Sequence, residues 1–280
     1  MGELQTKKLT SSSAAFLAGV VVFLLLTTGA SLTRAQDTRN LTPLQAEIEK
    51  QQQRLSSTDE EERRDALMRL AAMHRAAASR VALPALSDPS PMIRVMAAKA
   101  ILSLDASESA AALLPLLNDK DEFVRREVAY ALGQTRSQTA TAALSERLLN
   151  DKEAGVRGAA AVALGKIADE AAVIALASTL APELSTPAKS KRKREENDFV
   201  LRAAAEALGR IKSRAGTQAL ISAVSNEKFP NDVRREAARS LGLIADPAAV
   251  PALKSVSTAA DPFLSQLAYE SLRKINRANP

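Results

Sequence analysis

Apolar and small side chains recur along this chain in a pattern that appears seven times. Residues 233–244 show it most clearly, reading apolar-Arg-x-x-small-small-x-small-Leu-Gly-x-Ile. If the first residue of a copy is position +0, the apolar or small residues fall at +0, +4, +5, +8 and +11, which is one stripe of an α-helix. The copies begin at Glu62, Ile93, Val124, Val156, Val200, Val233 and Leu264. The pattern therefore predicts one helix in each copy.

The spacing of the copies predicts how these helices are partnered. Successive copies start 31–33 residues apart, except for one step of 44 residues. Each gap carries a second apolar run set off by turn-forming residues, and the runs are 113–117, 142–149, 171–180, 218–224 and 250–256. A repeat of this length that contains two helices cannot bury its apolar stripe alone and must stack on its neighbours. The sequence predicts an all-α protein, an α-solenoid of about seven helical hairpins.

The repeated motif resembles the HEAT repeat, and in particular its short-period form in phycobilin-lyase-like proteins. The resemblance rests on Val124-Arg125 with Ala131-Leu132-Gly133, Val156-Arg157 with Ala163-Leu164-Gly165, and Val233-Arg234 with Ser240-Leu241-Gly242. It implies that the motif arginines form a ladder with aspartates of the turns, and Asp88, Asp119 and Asp151 precede Arg94, Arg125 and Arg157 by six residues. The motif is broken at Leu201, where the arginine moves to Arg202, at Ser265, and at Arg273, which replaces the glycine. We expect less regular packing at those points.

The amino-terminal residues carry the pattern of a secretory signal. Lys7 and Lys8 precede an apolar stretch over residues 14–26, and the small residues Thr33 and Ala35 follow it. The stretch is short for a bilayer span of about 20 residues, although mildly polar residues could extend it into an uncleaved anchor. We therefore predict a signal peptide or signal anchor over 1–35, a linker over 36–41 and the solenoid over 42–280. The protein is expected to be exported, and to be periplasmic or anchored to the cytoplasmic membrane.

The first predicted helix follows a capping box. Thr42 is the capping residue, and Pro43 is of the type favoured at the first helical position. Gln45 can reach back to the cap with its side chain. We expect the helix to cap the stack by pairing with the helix from about 60 to 73.

The 44-residue step contains a basic insertion at about 183–197. Its basic residues are Lys189, Lys191, Arg192, Lys193 and Arg194. A solvated loop is one interpretation. The other is an anion-binding site for phospholipid head groups or an acidic partner. Nucleic acid is not expected, because no aromatic side chain interrupts the run to stack on bases.

The chain offers little for catalysis. It has one histidine, His74, and no cysteine, so neither a histidine-rich metal cluster nor a thiol nucleophile can be built. We predict that the protein is not an enzyme and has no catalytic, cofactor-binding or metal-binding residues. A carboxylate enzyme and a phycobilin-lyase-like activity stay as lesser alternatives.

Positions +3, +6 and +10 lie opposite the core stripe of each motif helix, on the side that the resemblance implies is concave. The predicted partner-binding residues there are Met96, Glu127, Tyr130, Val162, Lys166, Glu206, Arg210 and Arg239. Tyr130 would anchor a partner, unless it and Val162 only cover neighbouring helices. The predicted function is a non-catalytic protein-binding scaffold of the bacterial cell envelope. The alternative is a peripheral membrane-surface protein that binds anionic lipid through the insertion.

Overall fold

The computed structural model describes residues 41–184 and 196–279, in which all regular structure is helical. The chain divides into residues 1–50 and residues 51–280. Of the first unit, the described part holds most of helix α1, Pro43–Arg54. The predicted signal segment 1–35 and the basic residues 189–194 lie outside the described residues. Within the described ranges, no helix has both the length and the apolarity needed to cross a bilayer.

The second unit alternates two kinds of helix. The motif helices are α2 Glu60–Ala72, α4 Pro91–Ala100, α6 Glu122–Thr135, α8 Ala154–Ile167, α10 Asp198–Ile211, α12 Asn231–Ile244 and α14 Pro262–Ala278. The partner helices are α3 Ala76–Ala82, α5 Ala106–Leu113, α7 Thr141–Asn150, α9 Val173–Leu180, α11 Thr217–Ser225 and α13 Val250–Val256. The prediction of an all-α solenoid is confirmed. Within the described residues, six motif helices have a following partner helix, and α14 ends the series.

The predicted stripe forms the core between these helices. From Ile93 to Leu264, each +0 residue is at most 1% exposed, as are the leucines that face it from α7, α11 and α13. Burying aliphatic side chains of this size stabilises the fold by about 1.5–3 kcal/mol each. The periodicity of the sequence is therefore the periodicity of the core.

One partner helix begins earlier than its apolar run suggested. The run 113–117 was expected to be helical, but α5 starts at Ala106 and gives way to a 3-10 segment, Leu114–Asn118. The segment Leu83–Ser87 follows α3 in the same way. Pro84 and Pro115 lie in these segments, and a proline cannot donate the main-chain hydrogen bond that an α-helix needs there.

The capping box before α1 is confirmed. The Thr42 amide donates to Gln45 Oε1 at 2.9 Å, and the Gln45 amide donates to Thr42 Oγ1 at 3.3 Å. At the other end of α1, in the second unit, Arg54 forms an ion pair with Asp65 of α2. The expectation that the whole of α1 caps the stack stays a prediction.

Candidate functional site

A ladder of ion pairs sets the register of the motif helices. Arg94 donates through Nε and Nη2 to the Asp119 carboxylate at 2.7 and 2.8 Å, and through Nη1 to the Asp88 carbonyl at 2.8 Å. Arg125 repeats the arrangement with the Asp151 carboxylate and the Asp119 carbonyl. The side-chain partner of each arginine thus lies in the following turn, and the aspartate six residues earlier contributes only its carbonyl. Each arginine therefore ties two consecutive turns together.

The ladder continues across the basic insertion. Arg157 binds the Glu196 carboxylate, with Nη2 at 2.5 Å from Oε1, and donates to the Asp151 carbonyl at 2.9 Å. A glutamate at the end of the insertion thus takes the place that an aspartate has in earlier repeats. The series of ion pairs is interrupted at Leu201, where a leucine replaces the motif arginine. The neighbouring Arg202 lies 3.7 Å from Asp232 in an exposed pair, as expected for an irregular junction.

The motif glycines let consecutive motif helices approach closely. A Cβ atom on Gly133 would lie 2.7 Å from the Ala163 Cα, and one on Gly165 would lie 2.9 Å from the Ala207 Cα. Gly209 and Gly242 face Ser240 and Ser271 in the same way. The glycine at +9 therefore packs on the small residue at +7 of the next helix. This contact brings the +3, +6 and +10 residues of successive helices side by side.

We call the surface formed by these positions the motif-helix face. On α4, α6 and α8 this face carries apolar side chains that are only partly covered: Met96, Tyr130 and Val162 are each half-buried. Met68, at +6 of the first copy, is 51% exposed and extends the row by one helix. Met68 is not among the predicted residues, because the first copy of the motif is divergent. Its position, +6, is nevertheless the one that Tyr130 and Val162 occupy in their copies. Apolar side chains thus occupy this face on four consecutive motif helices.

Charged residues share this face with the apolar ones. Lys99 and Glu127 bridge α4 and α6 at 3.0 Å, and Glu206 and Arg210 pair along α10 at 2.7 Å. Lys166, at the end of α8, is exposed and has no carboxylate within 4.0 Å among the described residues. The predicted residues therefore lie on one face, where apolar and charged side chains are mixed on α4, α6 and α8 and a charged pair lies on α10.

A shallow groove runs between α8 and α10 on this face. Its floor is made of small residues, and Val162, Lys166, Glu206 and Arg210 line its sides. On the next helix, burial raises the pKa of Glu236, and the charge of Glu206 raises it further against the opposing effect of Arg239. The groove therefore offers apolar contact beside charges of both signs.

These features define a class of protein, the α-solenoids built from stacked helical repeats. The HEAT-repeat model matches residues 48–132, 80–164, 110–185 and 185–273. The chain belongs to the HEAT-repeat family. A comparison with curated protein sequences gives no match.

Solved structures share the fold at low identity. An engineered protein is 24% identical, with 82% of this chain and 68% of that chain covered and a TM-score of 0.51. The complex of CpcE and CpcF of phycocyanin lyase from Nostoc is 22% identical, with 86% and 89% covered and a TM-score of 0.47. Human deoxyhypusine hydroxylase, in complex with glycerol, is 20% identical, with 82% and 84% covered and a TM-score of 0.41. These similarities concern the fold alone.

The prediction that this chain is not an enzyme is wrong, because it was inferred from the repeat fold and from the presence of a single histidine. Two of the similar structures are enzymes by name, a hydroxylase and a lyase. The physical reason is that a solenoid supplies only a surface, while catalysis depends on a few side chains placed on it. The fold therefore does not exclude catalysis, and it assigns none.

Proposed function

We propose that this protein is a protein-binding scaffold whose motif-helix face is its interface. The observation that carries the proposal is the row of apolar side chains that the core does not need. Met68, Met96, Tyr130 and Val162 lie at equivalent or adjacent positions of four consecutive motif helices. Side chains of this kind beside a charged rim are typical of a protein interface.

The arrangement of this face favours a partner that spans several repeats. The ion-pair ladder and the glycine contacts hold the motif helices in one register, so the row is presented as a preformed surface. A partner that binds it loses little free energy to reorganisation. We infer an elongated partner segment with apolar side chains toward Tyr130 and polar ones toward Arg210.

A photo-crosslinking residue at Tyr130 tests the proposal. The matched control carries the same residue at Ile174 of α9, which is 80% exposed and lies on a partner helix. A binding face predicts a discrete crosslinked product in envelope extract at Tyr130 and none at Ile174. Products of equal yield at both positions would contradict the proposal.

We further propose that the scaffold works in the cell envelope, since residues 1–35 carry the pattern of a secretory signal. Amino-terminal sequencing of the protein from fractionated bacteria tests this. A mature chain starting at Gln36 outside the cytoplasm, or an uncleaved chain in the membrane fraction, would support it. An intact chain in the cytoplasm would contradict it.

A second candidate function is binding to an anionic membrane surface. It is favoured by five basic residues within 189–194, since each basic residue near an anionic membrane contributes about 1 kcal/mol of attraction. Changing Lys191, Arg192, Lys193 and Arg194 to Ser should weaken sedimentation with phosphatidylglycerol vesicles at low salt and leave the melting temperature unchanged. Equal sedimentation of both proteins would remove this candidate.

A further inference from the structure

Charge on the motif-helix face is sorted by position within the repeat. Across the seven copies, position +3 holds acidic residues and no basic one, and the acidic residues are Asp65, Glu127 and Glu236. Position +10 holds basic residues and no acidic one, and the basic residues are Lys166, Arg210 and Lys274. We call these two lines of side chains the +3 row and the +10 row. Opposite charges therefore follow the two edges of one face.

The dipole of the motif helices accounts for only one of the two rows. It favours cations in the last turn of a helix and anions in the first turn. Lys166 and Arg210 lie in the last turns of α8 and α10. Glu127 and Glu236, however, each lie five residues after the first residue of their helices, beyond the first turn. Burial raises the pKa of Glu236, so its charge lowers the stability of the folded chain at neutral pH.

An apolar line separates the two charged rows. Met68, Tyr130 and Val162 are at +6, between +3 and +10. Seven residues of α-helix separate the charged rows, which is a distance of about 10 Å along each motif helix. An α-helix with its side chains is about 10–12 Å wide. A helix laid across the motif helices would therefore cover the apolar line and reach both rows with its flanks.

Contacts between repeats show that the face continues from helix to helix. Lys99 of α4 reaches Glu127 of α6 at 3.0 Å. Val162 and Lys166 of α8 line the same groove as Arg210 of α10. The floor of that groove is low because it is made of small residues. A side chain of a partner can therefore approach α8 and α10 closely between the two charged rows.

We propose that the motif-helix face binds an amphipathic helix of another protein that has one acidic flank and one basic flank, an inference that rests on the proposed function. The apolar stripe of that helix covers Tyr130 and Val162. Its acidic flank lies along the +10 row and its basic flank along the +3 row, so that opposite charges meet on both sides. Lys166, which has no carboxylate within 4.0 Å among the described residues, gains a counterion.

Other occupants match the face less well. An extended segment turns successive side chains to opposite sides, so it presents a single line of side chains to a surface and cannot meet three rows. An anionic membrane attracts basic residues, but the +3 row would face it with carboxylates such as Glu127 and Glu236. The match of three parallel rows therefore favours a helix.

The probe is a labelled peptide of about three heptads with leucine at a and d, glutamate at every e and lysine at every g. Positions e and g flank the apolar stripe on opposite sides, so the charges of this peptide are segregated. A mixed peptide of the same composition alternates glutamate and lysine along both flanks. In fluorescence anisotropy at low salt, with the labelled peptide too dilute to self-associate, the segregated peptide should bind about tenfold or more tightly than the mixed one, because the mixed one places like charges opposite each other.

Variants of the protein locate the binding. Tyr130→Ala with Val162→Asp should remove most of the binding of the segregated peptide. Lys166→Glu with Arg210→Glu makes the +10 row acidic, so this variant should prefer a peptide with lysine on both flanks. Lys254→Glu, exposed on α13, is the matched control and should change no preference. Thermal melts check that each variant keeps its fold, and Lys166→Glu alone should shift the preference in the same direction.

The direction of binding provides a second readout. A mirror peptide with lysine at e and glutamate at g must turn end for end to match the same two rows. The chain has no cysteine, so Ala111→Cys on α5 and Ser255→Cys on α13 each provide a single labelling site. Energy transfer from a dye on the amino terminus of the peptide should favour one site for the segregated peptide and the other site for the mirror peptide.

Three results would overturn this inference. They are equal binding of the segregated and mixed peptides, binding that survives Tyr130→Ala with Val162→Asp, and the same direction for the segregated and mirror peptides. Absence of peptide binding would also overturn it, whereas a crosslinked product at Tyr130 would still support the proposed interface. Sedimentation with phosphatidylglycerol vesicles that requires Lys166 and Arg210, without peptide binding, would assign the +10 row to a membrane instead.

Discussion

Removing the buried Asp151 carboxylate should destabilise the protein far more than removing the exposed carboxylate of Asp232, which also pairs with an arginine. The Asp151 side chain is 2% exposed and its partner Arg125 is 7% exposed. The carboxylate accepts from Arg125 Nε at 2.9 Å, from Arg125 Nη2 at 3.1 Å and from the Glu153 amide at 3.0 Å. Asp151→Ala leaves a buried guanidinium without its counterion, which costs about 3–5 kcal/mol.

The matched control is Asp232→Ala. Asp232 and Arg202 lie 3.7 Å apart, and 53% and 44% of their side chains are exposed. The free energy of unfolding should therefore fall by less than about 1 kcal/mol in Asp232→Ala. A double variant, Arg125→Met with Asp151→Leu, should recover part of the loss, because no unpaired charge is left buried.

Urea unfolding followed by far-ultraviolet circular dichroism measures these differences. The unfolding midpoint and the melting temperature should be compared together, since stacked repeats can unfold in parts. A midpoint for Asp151→Ala that falls no further than that for Asp232→Ala would refute the ladder as a source of stability. A double variant less stable than Asp151→Ala would refute the explanation by unpaired charge.

Three further predictions concern packing, helix ends and pH. Gly133→Ala should cost about 1–3 kcal/mol in urea unfolding, because its Cβ would meet the Ala163 backbone at 2.7 Å. Gly155→Ala, with only Arg126 Cδ at 3.5 Å, should be neutral or stabilise by up to about 1 kcal/mol. Ala245 has φ 57°, so Ala245→Gly should raise the melting temperature, and a lower one would contradict the cost of about 1–2 kcal/mol assigned to that conformation. Burial raises the pKa of Glu236 above its ordinary 4.5, so stability should increase as pH falls through that raised pKa; a Glu236→Gln variant that keeps the same increase would disprove this.

The aspartates of the ladder give the opposite pH dependence. Burial by itself raises the pKa of Asp151, but hydrogen bonds from Arg125 and the Glu153 amide outweigh it and hold the pKa below the ordinary 3.8. The stabilisation from Asp151 is therefore complete above that ordinary value and is lost as pH falls through the lower pKa of the folded protein. Acid unfolding should begin in this range.

The core could be predicted from the sequence because it repeats. A residue such as Val233 lies at the same position of every copy, so the position of one helix predicts the others. The small residues at +7 gain their explanation only from the structure, where Gly133 meets Ala163 of the next helix. The period predicts that helices stack, but contacts between copies depend on how far each helix is displaced along its neighbour.

The ladder partners could be predicted only in part. Arg94 and Asp88 are close in sequence, yet the carboxylate that binds Arg94 belongs to Asp119. For Arg157 the partner is Glu196, a different residue type beyond an insertion of irregular length. No period could place Glu196 there. The repeat pattern also does not predict how exposed a side chain is. Met68 is 51% exposed, whereas Tyr130 and Val162 at the same repeat position are half-buried.

The affinity of the crosslinked partner for the double variant Tyr130→Ala with Val162→Asp tests the central claim most directly. Titration calorimetry with the purified partner should show binding to the wild-type protein and a loss of at least about tenfold in the variant, with an unchanged melt. Unchanged affinity would place the interface elsewhere, and a collapsed melt would assign both residues to the core.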